Sequence, residues 1–388
     1  MAAGILVAAA TGWAMWQEAV DSSLVRNVGE DFANNTWRAV RGLLTGRNVY
    51  ATGAHIAGMD PLGPVAEHVP ASLTWQAPFA VLPLRPALVA FTFASIAAIW
   101  AAVFVLARPR TPRAVLLVAC CGAFAIVTGT GQWTLLLGQP TCFMVLGLAL
   151  VVRARSAWIA ALGFLLAAST FQTGVPLALA LIALGSWPVV WRGAALVAVL
   201  SIPPVVLGVS AAGGALPFAR TFTSGVGTFA VETSHRIDLG ALLHRAGIHS
   251  TQVQIAVGLA VLACALAVLA RLPPSIRRLD QAPVLNLVVA ATLLCTYHEP
   301  YDMLLIAGTA TMAVVQYAST RYVPMLAAVT VGGIGVGLSG DLVDPVCLVL
   351  IVVLSAWAAR RATTPSALDA PTPIAGRHGG PLTDLSVS

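Results

Sequence analysis

Two short stretches hold the residue types that could do chemistry. The first is VGEDFANNTWRAVRGLLTGRNVY, Val28 to Tyr50, with Glu30 and Asp31 at the mouth of an amphipathic segment. The second, TYHEPYDMLLIA, crowds His298, Glu299, Tyr301 and Asp302 into a short link between apolar runs. A carboxylate held at the mouth of a cavity can take the proton of an attacking hydroxyl. Titratable groups beside a membrane cavity are functional candidates by default. Locally, Asp31 also reads as a plain N-cap with Glu30 as a solvated neighbour. A short interfacial turn likewise tolerates any polar residue, so both readings stay open. Two further places matter. LLLGQPTCFMVL puts Gly138-Gln139 at a helix start, and ETSHRIDLGALLHRAGIHS carries His235, Arg236, His244, Arg245 and His249. The latter could meet a phosphate or form an ordinary solvated face.

The elements that must position these groups are membrane helices. The chain has 388 residues, 58% hydrophobic and only 9% charged, against roughly 25% charged in soluble domains. Its mean hydropathy is +0.87. Apolar runs of about 20 residues alternate with short polar links, which fits helices and not the period-2 pattern of barrel strands. All 21 basic residues are Arg, a codon-level sign of a GC-rich genome such as an actinobacterial one. The net charge of +6 does not point to nucleic acid, because the arginines sit at helix ends and form no patch. The six cysteines lie in or beside apolar runs with no ligand spacing and read as small core residues.

About 12 spans are expected: roughly 2–17, 87–107, 114–131, 138–153, 157–171, 174–190, 194–211, 252–270, 283–297, 303–318, 322–338 and 343–359. The first reads as an uncleaved span, since no basic residue precedes its apolar core. With residue 1 inside, Arg108, Arg110, Arg113, Arg153, Arg155, Arg192, Arg271, Arg277, Arg278, Arg321, Arg360 and Arg361 all fall on the cytoplasmic side. The short links near 132–137, 172–173, 298–302 and 339–342 hold no Arg, as the positive-inside rule requires. Of the 15 acids, only Asp280, Asp369 and Asp384 fall off the outer side. The expected organisation is a polytopic domain over 1–361, with outer loops at about 18–86 and 212–251, and both termini cytoplasmic. Residues 362–388 read as a disordered tail.

From Asp31 to Thr45, at 100° per residue, Phe32, Ala33, Trp37, Val40, Leu43 and Leu44 fall within an arc of about 140°. Asn34, Asn35, Arg38, Arg41 and Thr45 fall opposite, and Gly46 stops the helix. Such a helix is expected to lie in the outer membrane interface.

At these residues the chain resembles glycosyltransferase family 87, the polyprenol-phosphate-dependent enzymes of GT-C fold. Asp31-Phe32, Trp37, Gly46 and Tyr50 match the family's first-loop signature. WQAPFAVLPLRPALVAF, with Pro78 and Pro83, is similar to its Pro-rich approach to the second span. GQPTCFMVLGLAL resembles its Gly-Gln start of the fourth, and YHEPYDMLLIA its late polar turn. The resemblance covers most of 20–320 in order. It departs in AASTFQTGVPLAL, where Gln172 stands in place of a common Lys; a phosphate contact would then come from elsewhere, such as Arg236 or Arg245.

The resemblance implies an inverting transfer of a sugar, mannose first, from a polyprenyl phosphate to a glycolipid or envelope-glycan hydroxyl at the outer face of the plasma membrane. Asp31 would take the acceptor proton. His298 would orient Asp31 or steady the leaving phosphate. Glu30, Trp37, Gln139, Gln172, Arg236, Arg245, Glu299, Tyr301 and Asp302 are the expected substrate contacts. Membrane lipids are the other partners. No cofactor is expected: there is no P-loop or GxGxxG in a strand-to-helix setting, and no DxD-like metal pair. An arabinofuranosyltransferase of the same fold is one alternative. A 12-span transporter or lipid flippase is another, although no repeat between halves is visible. A non-catalytic assembly scaffold would not require Asp31.

Overall fold

The structure is a computed structural model that describes residues 29–50, 68–228, 236–275, 277–317, 325–327, 329–330 and 343–361. Among them, every regular element is helical, and the one isolated β-bridge pairs His68 with Thr170. In chain order, α1 starts with π-helical Phe32–Arg38 and continues as α-helical Ala39–Leu44. Then come α2 (Pro70–Ala80), α3 (Leu84–Ala107), α4 (Pro112–Val127), α5 (Gly129–Leu137), α6 (Thr141–Arg153), α7 (Ala157–Ala167) and α8 (Phe171–Ala183). They are followed by α9 (Trp187–Ala211), α10 (Ala215–Thr228), α11 (Leu239–Arg245), α12 (Thr251–Arg271) and α13 (Ala282–Cys295). A 3-10 turn (Pro300–Met303), α14 (Leu304–Gln316) and α15 (Val343–Arg361) complete the order.

Local sequence sets many of these ends. Thr111, Thr128, Asp238 and Ser250 cap α4, α5, α11 and α12 by accepting a backbone N–H of the first turn. Pro70 and Pro112 sit in first turns, where the missing N–H costs nothing. The core forms around α13, apolar on all sides and buried from Ala282 to Leu294, and around α14, buried from Leu304 to Ala313. A helix buried all round belongs at the centre of a bundle. The late polar turn joins these two central helices, which puts it over the middle of the molecule.

By contrast, α9 and α12 are peripheral: only 11% and 17% of their apolar windows are buried. They leave Val199, Ile202, Val206, Ile255 and Leu259 exposed. An uncovered apolar flank of this kind suits lipid.

The expected spans are recovered unevenly. Among the described residues, three helices (α3, α9 and α12) are long and apolar enough to cross a membrane, and α4 with α5 makes a fourth if the pair, bent by 62°, counts as one. The apolar helices α6, α7, α8, α13 and α14 are shorter; the 13 residues of α6 rise only about 20 Å, against about 30 Å of hydrocarbon. The link expected at 132–137 is instead helical, inside α5, because Thr128 caps a new helix at the bend. The span expected at 2–17, most of that at 322–338, and the tail at 362–388 lie outside the described residues.

Helix α1 also differs from its expected setting. Its first turns are π-helical, so a fixed 100° step does not apply there. Phe32 packs with Leu88 and Phe91 of α3, while Val40 and Leu43 pack with Tyr50, Leu73 and Phe218. The apolar arc therefore faces protein, and Leu44, 68% exposed, is its one strongly exposed member. On the polar side, Arg41 donates from Nε to the carbonyl of Ala80 at 3.0 Å and from a terminal nitrogen to that of Leu82 at 3.3 Å, capping the end of α2.

Candidate active site

Asp31 is placed by the contact between α1 and the α5–α6 joint. The Gly29 N–H donates to the carbonyl of Leu136 at 2.6 Å. Gly138 ends α5 in the left-handed region at φ 74, and a Cβ there would come within 2.5 Å of the Phe32 Cβ. Only glycine meets both conditions. The next residue, Gln139, then points its amide at Asp31, and Nε2 donates to Oδ2 at 2.5 Å. Asp31 makes no capping bond with its own helix. Burial pushes its carboxyl up to about 7; the Gln139 hydrogen bond works against this, and the charges of Glu299 and Glu30 add to it.

Gln139 also lines a recess. The other walls include His68, Thr141, Thr170, Gln172, His298 and Asp302, with Met144 and Pro140 as apolar floor. His298 is buried, and its Nδ1 lies 2.8 Å from Asp302 Oδ2. Thr141 Oγ1 donates to the other carboxylate oxygen at 3.2 Å. A carboxylate accepts, so the imidazole proton sits on Nδ1 and Nε2 of the neutral ring is the free lone pair. The Ile237 N–H donates to the carbonyl of His298 at 2.9 Å, which fixes the turn from the second long loop. Gln172 stands in the first turn of α8, and its carbonyl accepts from Thr296 Oγ1 at 3.2 Å. Tyr297, on the same wall, donates its hydroxyl to Glu299 at 2.5 Å.

The expected site residues thus divide. Asp31, Gln139, Gln172, His298, Glu299 and Asp302 come together. Glu30 is beside them but exposed. Trp37 is a latch: its Nε1 donates to the Leu82 carbonyl at 2.8 Å, and Arg41 stacks over its ring at 4.3 Å. Arg236 is buried and forked onto Asp238 by two bonds of 2.7 Å, lying over the Tyr297 ring at 5.2 Å. Arg245 donates to the Arg236 carbonyl at 3.0 Å. Both arginines thus brace the wall behind Tyr297. His244 and His249 meet each other at 3.2 Å, and the His235 position and the Tyr301 side chain lie outside what is described.

His68 is the member that sequence reasoning misses. The Val69 N–H donates to the Ser169 carbonyl at 3.0 Å, bringing His68 beside Thr170. The ring is buried, and burial lowers its pKa to about 4, with Asp302 pulling weakly the other way. Among the described residues, no His/Cys/Asp/Glu group suited to a metal ion is formed.

These groups share one pole. At the far end of α6 from these groups, Arg108 donates to the Arg153 carbonyl at 2.6 Å and Arg153 to that of Leu106 at 2.8 Å. No curated protein and no solved structure matches the chain. One family model does, that of glycosyltransferase family 87, over residues 68–297. It begins at His68 and stops at Tyr297, so Asp31 and the His298–Asp302 turn join the matched region through the contacts above. The match runs through most of the helical bundle and three walls of the recess, and with more than half of its length covered the chain belongs to glycosyltransferase family 87.

Proposed function

We propose that this membrane glycosyltransferase is an inverting enzyme of GT-C type that uses a polyprenyl-phosphate sugar, mannose first, and delivers it to a glycolipid or envelope-glycan hydroxyl at the outer face of the plasma membrane. The observation that carries the reading is Asp31: a half-buried carboxyl, pushed up to about 7 mainly by desolvation and joined through Gln139 to a polar recess at the end of α6 away from Arg153. A base poised near pH 7 combines a useful ionised fraction with enough basicity to take a proton.

In the reaction, Asp31 accepts the acceptor hydroxyl proton as that oxygen bonds to the anomeric carbon. The bond from that carbon to the phosphate oxygen breaks, and the phosphate leaves with the electron pair, inverting the centre. His298 orients Asp31, with its own ring held by Asp302. The arginine-rich pole faces the cytoplasm by the positive-inside rule, which puts the recess on the outer side. The packed bundle around the recess limits water, which would otherwise consume the donor.

The test is sugar transfer in membranes containing wild type, Asp31→Ala or Asp31→Asn at matched expression, with labelled polyprenyl-phosphate mannose and, in parallel, the arabinofuranose donor. Transfer by wild type that is lost in both variants while both remain folded supports the reading, and the active donor names the sugar. Unchanged transfer in the variants removes Asp31 from the chemistry.

A further inference from the structure

Three polar atoms on the recess wall have no hydrogen-bond partner among the described residues: Nδ1 of His68, Nε2 of His298 and Oε1 of Gln172. They come from three separate segments, and each is held. The Val69–Ser169 bond holds His68, Asp302 holds His298, and the first turn of α8 holds Gln172. Buried polar atoms are normally bonded, and a convergent set left open points to a ligand.

The signs of these atoms say which ligand. Gln172 Oε1 can only accept. His298 Nδ1 keeps a proton beside Asp302, so Nε2 accepts from a hydroxyl when the ring is neutral and donates to one when it is protonated. The Asp302 carboxylate only accepts. A phosphate would bring its own lone pairs and negative charge against this wall. A sugar hydroxyl brings a proton to donate and lone pairs to accept with. His68, kept neutral by burial, has one N–H and one lone pair, so it can serve a hydroxyl in either sense. The space among these atoms is about 20 Å³, the size of a water, so it admits one hydroxyl and neither a whole ring nor a phosphate.

We infer that this recess receives one hydroxyl of a sugar ring, that His68 and Gln172 read its configuration, and that the ring and the donor phosphate lie outside it. The inference rests on the glycosyltransferase reading above and leaves open whether the ring is the donor's or the acceptor's.

The experiment measures kcat/KM for mannosyl and glucosyl donors at fixed acceptor, and for epimeric acceptors at fixed donor, with the Ki of bare polyprenyl phosphate alongside. Wild type is compared with Gln172→Leu, Gln172→Glu, His68→Phe and the similarly sized His68→Gln. Discrimination between epimers should fall about tenfold per lost hydrogen bond, in one arm only, while the Ki of bare polyprenyl phosphate stays put; the arm that falls names the ring. Unchanged discrimination in both arms, or a Ki that rises with the loss, overturns the inference. Thermal shift of the purified wild-type protein with methyl α-mannoside and with inorganic phosphate gives a readout independent of turnover. A saturable shift with the glycoside, reduced in Gln172→Leu, supports the assignment. A shift with phosphate alone, or none with the glycoside, sinks it even if no donor is turned over, whereas glycoside binding without any turnover counts only against the transfer reading.

Discussion

Asp31 keeps its proton up to about pH 7 in the folded chain, whereas an unfolded aspartate loses it near 3.8. Between those values the folded state binds more protons than the unfolded one, so raising the pH erodes stability, and the cost is complete above 7. Asp31→Asn removes the charge and keeps an oxygen for Gln139. The variant should therefore melt higher than wild type at pH 8, with the difference vanishing by about pH 4, as read by thermal unfolding in detergent. Catalysis should follow the opposite sign: wild-type kcat/KM should climb with pH through an apparent pKa near 7. Asp302→Asn tests the partner. An amide nitrogen turned toward His298 Nδ1 would donate to it and drive the ring proton to Nε2. Transfer should fall by up to roughly 100-fold with little change in melting temperature, and a variant that keeps full activity would remove the Asp302 hold from the mechanism. Local pattern marked Asp31, Gln139 and His298, because each stands at a helix boundary or in a polar turn between apolar runs. It could not mark His68, which acquires its place only when Val69 pairs with Ser169. Nor could it mark that the Arg236 guanidinium forks onto Asp238 two residues on.

At the scale of elements, the site depends on close approach at helix joints. A Cβ on Gly138 meets Phe32 and also forces a side chain into the left-handed region. Gly138→Ala should cost about 1–3 kcal/mol and weaken transfer by loosening the Gln139–Asp31 bond, whereas Gly46→Ala, strained in the same region but with open space around it, should leave transfer closer to wild type. Melting temperature and transfer measured together separate the two effects. Helices α6 and α7 cross just as closely: a Cβ on Gly147 would lie 2.5 Å from the Gly163 carbonyl oxygen. The apolar helices were legible from their runs, and α12 at Thr251–Arg271 lies within a residue of the reading at 252–270. The polar face of α1 was legible too, but not its target, since the capping of α2 by Arg41 spans 39 positions of sequence.

For the whole molecule, polarity is the organising fact. Charged recess residues gather at one end of α6, Arg108 and Arg153 pair at the other, and α9 and α12 carry exposed apolar flanks. In a cysteine-free background, an impermeant maleimide should label Thr45→Cys in intact cells and Arg110→Cys only after permeabilisation; both positions are exposed. The reverse pattern would invert the proposed orientation. Sequence displayed this polarity through its arginines and acids, because charge obeys the membrane as a whole. Helix lengths were less visible, since α6, α8 and α13 stop short at a recess that only the assembled bundle defines.

The first long loop is anchored at two points. Tyr50 is buried against Phe218 and Phe222, with ring centroids 5.4 Å away in each case, and His68 is tied to Thr170. Both flanks of the segment 51–67 are thus tied down, one against α10 and the other beside the start of α8. Such an arrangement makes it an exchangeable cassette. Related proteins could diversify it, or an engineer could graft a different one, without disturbing the carboxyl at Asp31 or the imidazole at His68. Change in the sequence of this loop would then be decoupled from the preservation of the recess.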